Sequence, residues 1–159
     1  MLTKENLRRS NFKPEDFFIS DLVYRLNNDN NEANNIDNST TNLNFLTAGM
    51  VTADKAQEVR NILGFPVIIH SCFRVLELNR LLKSKDSSQH CKFEAFDFSC
   101  PKFGNAEKIV KYLMEKKVVV DQCLIEKSGK SEWVHLSIKV SGNRNQFGKL
   151  INGVFTLLC

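Results

Sequence analysis

Between residues 132 and 140 the chain alternates without interruption: Val134, Leu136, Ile138 and Val140 fall on one parity, and Trp133, His135 and Ser137 on the other. A strict period of two over this length describes a β-strand with one face on an apolar core and the other face free. The run Phe93-Glu94-Ala95-Phe96-Asp97-Phe98 reads the same way, with Phe96 and Phe98 on one side and Ala95 and Asp97 on the other. Two strands therefore carry an ionisable side chain opposite their apolar residues. Whatever else the chain forms, it must build a sheet covered on one side and place His135 and Asp97 on the other.

The remaining signals mix helix with strand. Thr52 can cap a helix in which Ala56, Val59, Ile62 and Leu63 share a face, and Gly64 with Pro66 ends it. Pro66 to Ser71 reads as a buried strand, in which His70 is a satisfied core residue. Leu76 to Leu82 predicts a short helix, and Lys83 to Gln89 a polar loop. Asn105 to Lys117 carries Ala106, Ile109, Val110, Leu113 and Met114 at helical spacing, and Val118 to Val120 begins another strand. The class is α+β. At the amino terminus Phe12, Phe17, Phe18, Ile19, Leu22 and Val23 form an apolar cluster expected to dock on the domain. Residues 27–44 contain nine asparagines. Such a stretch buries too little apolar surface to offset its ordering entropy, which predicts a flexible loop. With 159 residues the chain supports one core, so we divide it into a lead-in over 1–44 and one domain over 45–159.

The candidate chemistry follows from the two free faces. His90 precedes Asp97 by seven residues, so a loop side chain and a strand side chain can meet His135 at one point. Two imidazoles and one carboxylate suit Zn²⁺ and leave a fourth position open, the composition of a catalytic metal site. Glu132, three residues before His135, is the first candidate for a general base that takes a proton from activated water. Arg74, just past the Pro66 to Ser71 strand, can hold a carbonyl oxygen as it becomes negative; the alternative is a salt bridge to Glu77 or Asp97. Cys91 and Cys100 flank Asp97 and leave open a closed structural zinc site, although lone cysteines are more often small buried hydrophobes.

The net charge of +4 arises from basic and acidic residues spread along the whole chain, which leaves no localised nucleic-acid footprint. Residues 1–10 lack the apolar stretch of a secretory signal, and no segment is long and apolar enough for stable membrane insertion. The expectation is synthesis in the cytoplasm without a signal peptide. Five cysteines, an odd number, suggest reduced thiols.

Four segments occur in order: Ser71-Cys72-Phe73-Arg74, Glu77-Leu78-Asn79, Ser88-Gln89-His90-Cys91-Lys92-Phe93-Glu94-Ala95-Phe96-Asp97, and Glu132-Trp133-Val134-His135-Leu136-Ser137. They resemble the S-G-Y-R, x-L-N, S-Q-H-x-x-G-x-A-x-D and W-x-H blocks of the zinc D-Ala-D-Ala carboxypeptidase and phage endolysin family. The likeness runs from about Phe45 to Val140, and Asn11 to Leu22 resembles the lead-in of its short members. It implies a Hedgehog-like α+β fold in which a small antiparallel sheet, flanked by helices, carries the metal. It further implies zinc on His90, Asp97 and His135, an oxyanion role for Arg74, and hydrolysis next to D-amino acids in peptidoglycan peptides. Glu132 is the first choice of base and Glu126, matched by an acid in phage-type members, the second. Release to the cell wall by lysis, or as a virion component, follows from the same likeness. Family glycines stand here as Cys72, Lys83, Ser84 and Phe93, which motivates the rival reading: a binding module of the same fold, for cell-wall attachment or virion assembly, that no longer turns over.

Overall fold

The computed structural model describes residues 1–20 and 36–158. Leu22, Val23 and residues 27–35 of the asparagine-rich stretch lie outside the described residues. Within them, six strands form one sheet: β1 (Ile68–Ser71), β2 (Ala95–Ser99), β3 (Gln122–Ser128), β4 (Ser131–Ser137), β5 (Gln146–Ile151) and β6 (Val154–Leu157), in the order β1-β2-β4-β3-β5-β6. Helices α1 (Leu43–Leu63), α2 (Leu76–Leu81) and α3 (Ala106–Glu115) complete the mixed architecture.

The alternating residues behave as their parity requires. Phe96 and Phe98 of β2, Val134 and Leu136 of β4, and Cys123 and Ile125 of β3 are buried in one continuous core. Ile109, Val110 and Leu113 of α3 and Ala53, Ala56, Val59 and Leu63 of α1 pack into the same cluster. Fully burying one such large side chain is worth about 1.5–3 kcal/mol, so these stripes dominate what holds the helices on the sheet.

The sheet is not purely antiparallel as expected. After β4 the chain passes over β3 and lays β5 beside it in parallel, Cys123 opposite Phe147 and Ile125 opposite Lys149. Gly148 and Lys149 interrupt the apolar pattern of β5, and the short edge strand β6 is exposed along its length, so neither gives a strong strand signal. Val118 to Val120 do not begin a strand: Val120 exchanges hydrogen bonds with Asn145, and pairing starts at Gln122. Val140 does not face the core and is 70% exposed, because β4 ends at Ser137 and a turn closed by Asn143 on Lys139 follows. The strand predicted over Pro66 to Ser71 is β1, at the sheet edge rather than buried, with Ile68 half exposed and the His70 Nε2 2.8 Å from Ser99 Oγ.

Helix α1 is longer than predicted. It starts at Leu43 with Asn42 as its cap, whose side chain accepts from the Asn44 amide, so the boundary drawn between 44 and 45 falls in its first turn. Thr52, expected to cap, is fully buried mid-helix and donates its hydroxyl to the Phe93 carbonyl at 2.7 Å. Gly64 ends the helix in the left-handed conformation, as predicted. The lead-in docks: Leu7, Phe12 and Phe17 join the core, Arg9 reaches Asp54 at 2.6 Å, and the amides of Cys72 and Phe73 donate to the carbonyls of Ile19 and Phe17.

Phe93 and Gly49 are matched. Phe93 holds the left-handed conformation (φ 61°) at a position where the resembling family has glycine, and its ring is buried 4.8 Å from that of Phe73. A β-carbon on Gly49 would stand 2.8 Å from Phe93 Cε1. In an ordinary helix Gly→Ala gains about 1 kcal/mol; here overpacking reverses the sign. Gly49→Ala should destabilise the protein by about 1–3 kcal/mol, read as a lower denaturation midpoint in urea; a raised midpoint would contradict this packing.

Candidate metal centre

Backbone register brings the site together. Across β2 and β4, Asp97 lies opposite His135, and Ser71 of β1 lies opposite Asp97. His90 enters from the turn Gln89–Lys92, which the left-handed Phe93 closes with its amide on the carbonyls of Gln89 and His90. The Glu94 amide also donates to Gln89, so the chain turns directly from this helical turn into β2. Positive φ costs a phenylalanine roughly 1–2 kcal/mol, and here the Thr52 hydroxyl and the buried ring oppose that cost.

The three side chains offer ligand atoms that lie within 4.8 Å of one another. His90 Nε2 is 3.3 Å and His135 Nδ1 2.9 Å from Asp97 Oδ1. Bonds of about 2.0 Å in a tetrahedron imply donor separations of about 3.3 Å, so the spacing fits a zinc ion. The imidazoles are also oriented for it. The Cys72 carbonyl can only accept, so the 2.7 Å contact with His90 Nδ1 places a proton there and leaves the Nε2 lone pair facing inward. His135 turns Nε2 toward Gln89 Oε1 at 3.2 Å and Nδ1 toward Asp97.

Electrostatics of the side chains alone agree with a cation site. Burial by itself would raise the Asp97 carboxyl, but His90 and His135 outweigh it and hold it well below the usual carboxylate range. Burial pushes His90 down toward the neutral form, beyond what Asp97 restores. Burial also opposes charge on His135, yet its bond to Asp97 and the negative field of Asp97 and Glu126 leave it raised. A dense pairing of this kind among largely buried groups marks functional sites more often than structural ones.

Arg74 lies beside this group. Its amide donates to the His90 carbonyl at 3.2 Å, and its charge acts on His90, His135 and Glu126. The side chain is 6% exposed, and Nε is buried with no hydrogen-bond partner. Among the described residues no ion pair to Glu77 or Asp97 forms, so the salt-bridge alternative does not hold. Asn38 clamps both flanks of Arg74: its Nδ2 donates to the Phe18 and Phe73 carbonyls, and its Oδ1 accepts from the Val75 amide. A buried guanidinium nitrogen without a partner is costly, and an anionic group of a bound molecule would relieve that cost.

The two acids separate by strand parity. Glu132 shares parity with Val134, on the face away from His135; its Oε1 accepts from the Ala106 amide at the start of α3, and its Oε2 meets Lys127 Nζ at 3.1 Å. Glu132 is therefore not placed to serve the centre, which corrects the first choice of base. Glu126 of β3 lies opposite Trp133 and on the same face as His135. Its Oε2 accepts from Trp133 Nε1 at 3.1 Å, and burial, more than the opposing pull of His135, raises its pKa. Cys91 and Cys100 are not in the ligand group, and Cys72, Cys91, Cys100 and Cys123 are free thiols. Sequence reasoning missed the roles of Gln89 and Asn38: Gln89 stands in the Ser88-Gln89-His90 block with no function marked by the sequence, and Asn38 is one of nine asparagines in residues 27–44.

The sequence pattern of the family described as Peptidase M15 matches residues 17–137, which spans every residue of the centre. No curated protein matches the chain.

Because Glu132 holds the amino terminus of α3, Glu132→Ala should cost about 0.5–1 kcal/mol of stability and leave metal uptake unchanged. Thermal denaturation, a zinc titration and a peptidase assay read these together; loss of activity with zinc retained and stability unchanged would return Glu132 to the centre.

Proposed function

The chain belongs to the peptidase M15 family, and on that premise we propose that it is a zinc metallopeptidase in which His90, Asp97 and His135 hold the ion, Glu126 is the general base and Arg74 binds the oxyanion. The observation that carries this reading is the convergence of three donor atoms within 4.8 Å on one side of the sheet, with Glu126 on that same side. When bound there, zinc supplies Lewis-acid activation of water and of a carbonyl oxygen.

The chain's own residues account for the remaining steps. Glu126 accepts a proton from the attacking water as the new C–O bond forms. Its burial raises its proton affinity, which suits a base that must later return the proton to the departing amine as the C–N bond breaks. Trp133 fixes the carboxylate through Oε2 and leaves Oε1 for that exchange. Arg74 meets the negative oxygen that develops on the carbonyl, and because its guanidinium is already buried it needs little reorganisation to do so. Asn38 holds the backbone on both sides of it.

The substrate in this proposal is a peptidoglycan peptide cut next to a D-amino acid, by endopeptidase or carboxypeptidase action, and the setting is release to the cell wall by lysis or within a virion. Among the described residues no helix is long and apolar enough to cross a membrane. The lost glycines do not favour the binding-module alternative: Phe93 and Lys83 themselves take the left-handed conformation, and the Phe93 ring is used in the core.

Zinc content and turnover of purified peptidoglycan, measured together, test the proposal. We expect one zinc per chain, lost in His135→Ala, and a fall in turnover of about 10²-fold or more in Glu126→Gln with zinc retained. Bound zinc without turnover of any wall peptide would leave a binding module, and a wild-type chain that takes up no zinc would overturn the reading.

A further inference from the structure

The two imidazoles of the centre are aimed by different means. His90 is set by a backbone carbonyl, whereas His135 depends on the side-chain amide of Gln89. An amide can stand either way round, and with its nitrogen toward His135 it would offer a donor where an acceptor is needed.

Asp121 removes that ambiguity. Its carboxylate, fully buried at the entry to β3, can only accept, and Gln89 Nε2 lies 2.7 Å from its Oδ2. The amide oxygen is then left to face His135 Nε2 at 3.2 Å and must accept a hydrogen bond from it. Asp121 is in turn held from several sides: Lys139 Nζ lies 3.0 Å from Oδ1, Arg144 Nε donates to the same oxygen at 3.0 Å, and a second guanidinium nitrogen donates to Oδ2. Its backbone is pinned as well, with the amide on the Ser137 carbonyl and the carbonyl on the Gln146 amide. Burial alone would raise this carboxyl, but the bonds from Arg144 and Lys139 bring it down to about 2, so it stays an anion wherever zinc binds.

We infer that Gln89, held in one orientation by Asp121, is a positioning residue that keeps His135 protonated on Nε2 and its Nδ1 free for the metal. Asp121 thereby links the end of β4, the connection to β5 and the turn carrying His90 to a single ligand atom. Partners that orient metal ligands in this way are typically worth about 10–100-fold in affinity. The inference rests on the reading of the centre as a zinc site.

The test is zinc affinity by chelator competition, with the absorption spectrum of the cobalt-substituted protein as a second readout, on the wild-type chain, Gln89→Leu, Asp121→Asn and the double variant. Gln89→Leu should weaken zinc binding about 10–100-fold and shift the cobalt spectrum. The double variant should bind within about twofold of Gln89→Leu alone, since Asp121 acts only through Gln89. If Asp121→Asn does not fold, Gln89→Glu replaces it; this variant keeps an acceptor for His135 but sets a second carboxylate against Asp121, and weakened binding is expected. Affinity unchanged within about threefold in Gln89→Leu, or losses that simply add in the double variant, would overturn the inference. Absence of zinc from the wild type would instead fail the metal-site reading beneath it.

Discussion

The pairing of β2 with β4 is the constraint on which the rest depends. It sets Asp97 opposite His135, and in the same register it sets Phe96 opposite Leu136 and Phe98 opposite Val134. A slip by one residue would turn Asp97 into the core and expose the phenylalanines, so the register that makes the metal face is the one that hydrophobic burial enforces. Site geometry here is a by-product of core formation. The same logic extends through β3, where Cys123 and Ile125 go inward and Glu126 is delivered to the outer face beside Trp133.

Residues supplied by loops need other fixtures. His90 and Arg74 precede strands or follow them, and both are held by backbone bonds: the Arg74 amide on the His90 carbonyl, the His90 ring on the Cys72 carbonyl, the Phe73 amide on the Phe17 carbonyl. The amino-terminal lead-in is therefore part of the site's foundation. Removing the 3-10 turn Pro14–Phe18 would strip a partner from the segment that carries both Cys72 and Arg74.

What the sequence made legible follows from which signals are local. Period two exposed β2 and β4 and the parity of Asp97 and His135, and the 3.6 period exposed α3. The same parity argument places Glu132 on the Val134 side, away from His135, whereas its spacing of three residues from the histidine alone suggests proximity. The extension of α1 back to Leu43 was hidden by asparagines, of which Asn42 serves as the cap and Asn38 as a clamp whose partners Phe73 and Val75 lie far along the chain. Strands β5 and β6 were not legible because one carries Gly148 and Lys149 and the other is a short exposed edge. The parallel pairing of β5 with β3 is a long-range choice with no local mark. Asp121 gave no signal either, since its partners Gln89, Lys139 and Arg144 meet only after folding.

The contact between Gly49 and Phe93 also constrains how this sequence can drift. A lineage with glycine at position 93 leaves the space beside α1 free, and position 49 can then accept a side chain; with phenylalanine at 93 it cannot. Each single exchange passes through a clash or a void in the core, so the two positions should change as a pair, and other members of the family should divide into those with a large residue at one site and those with it at the other.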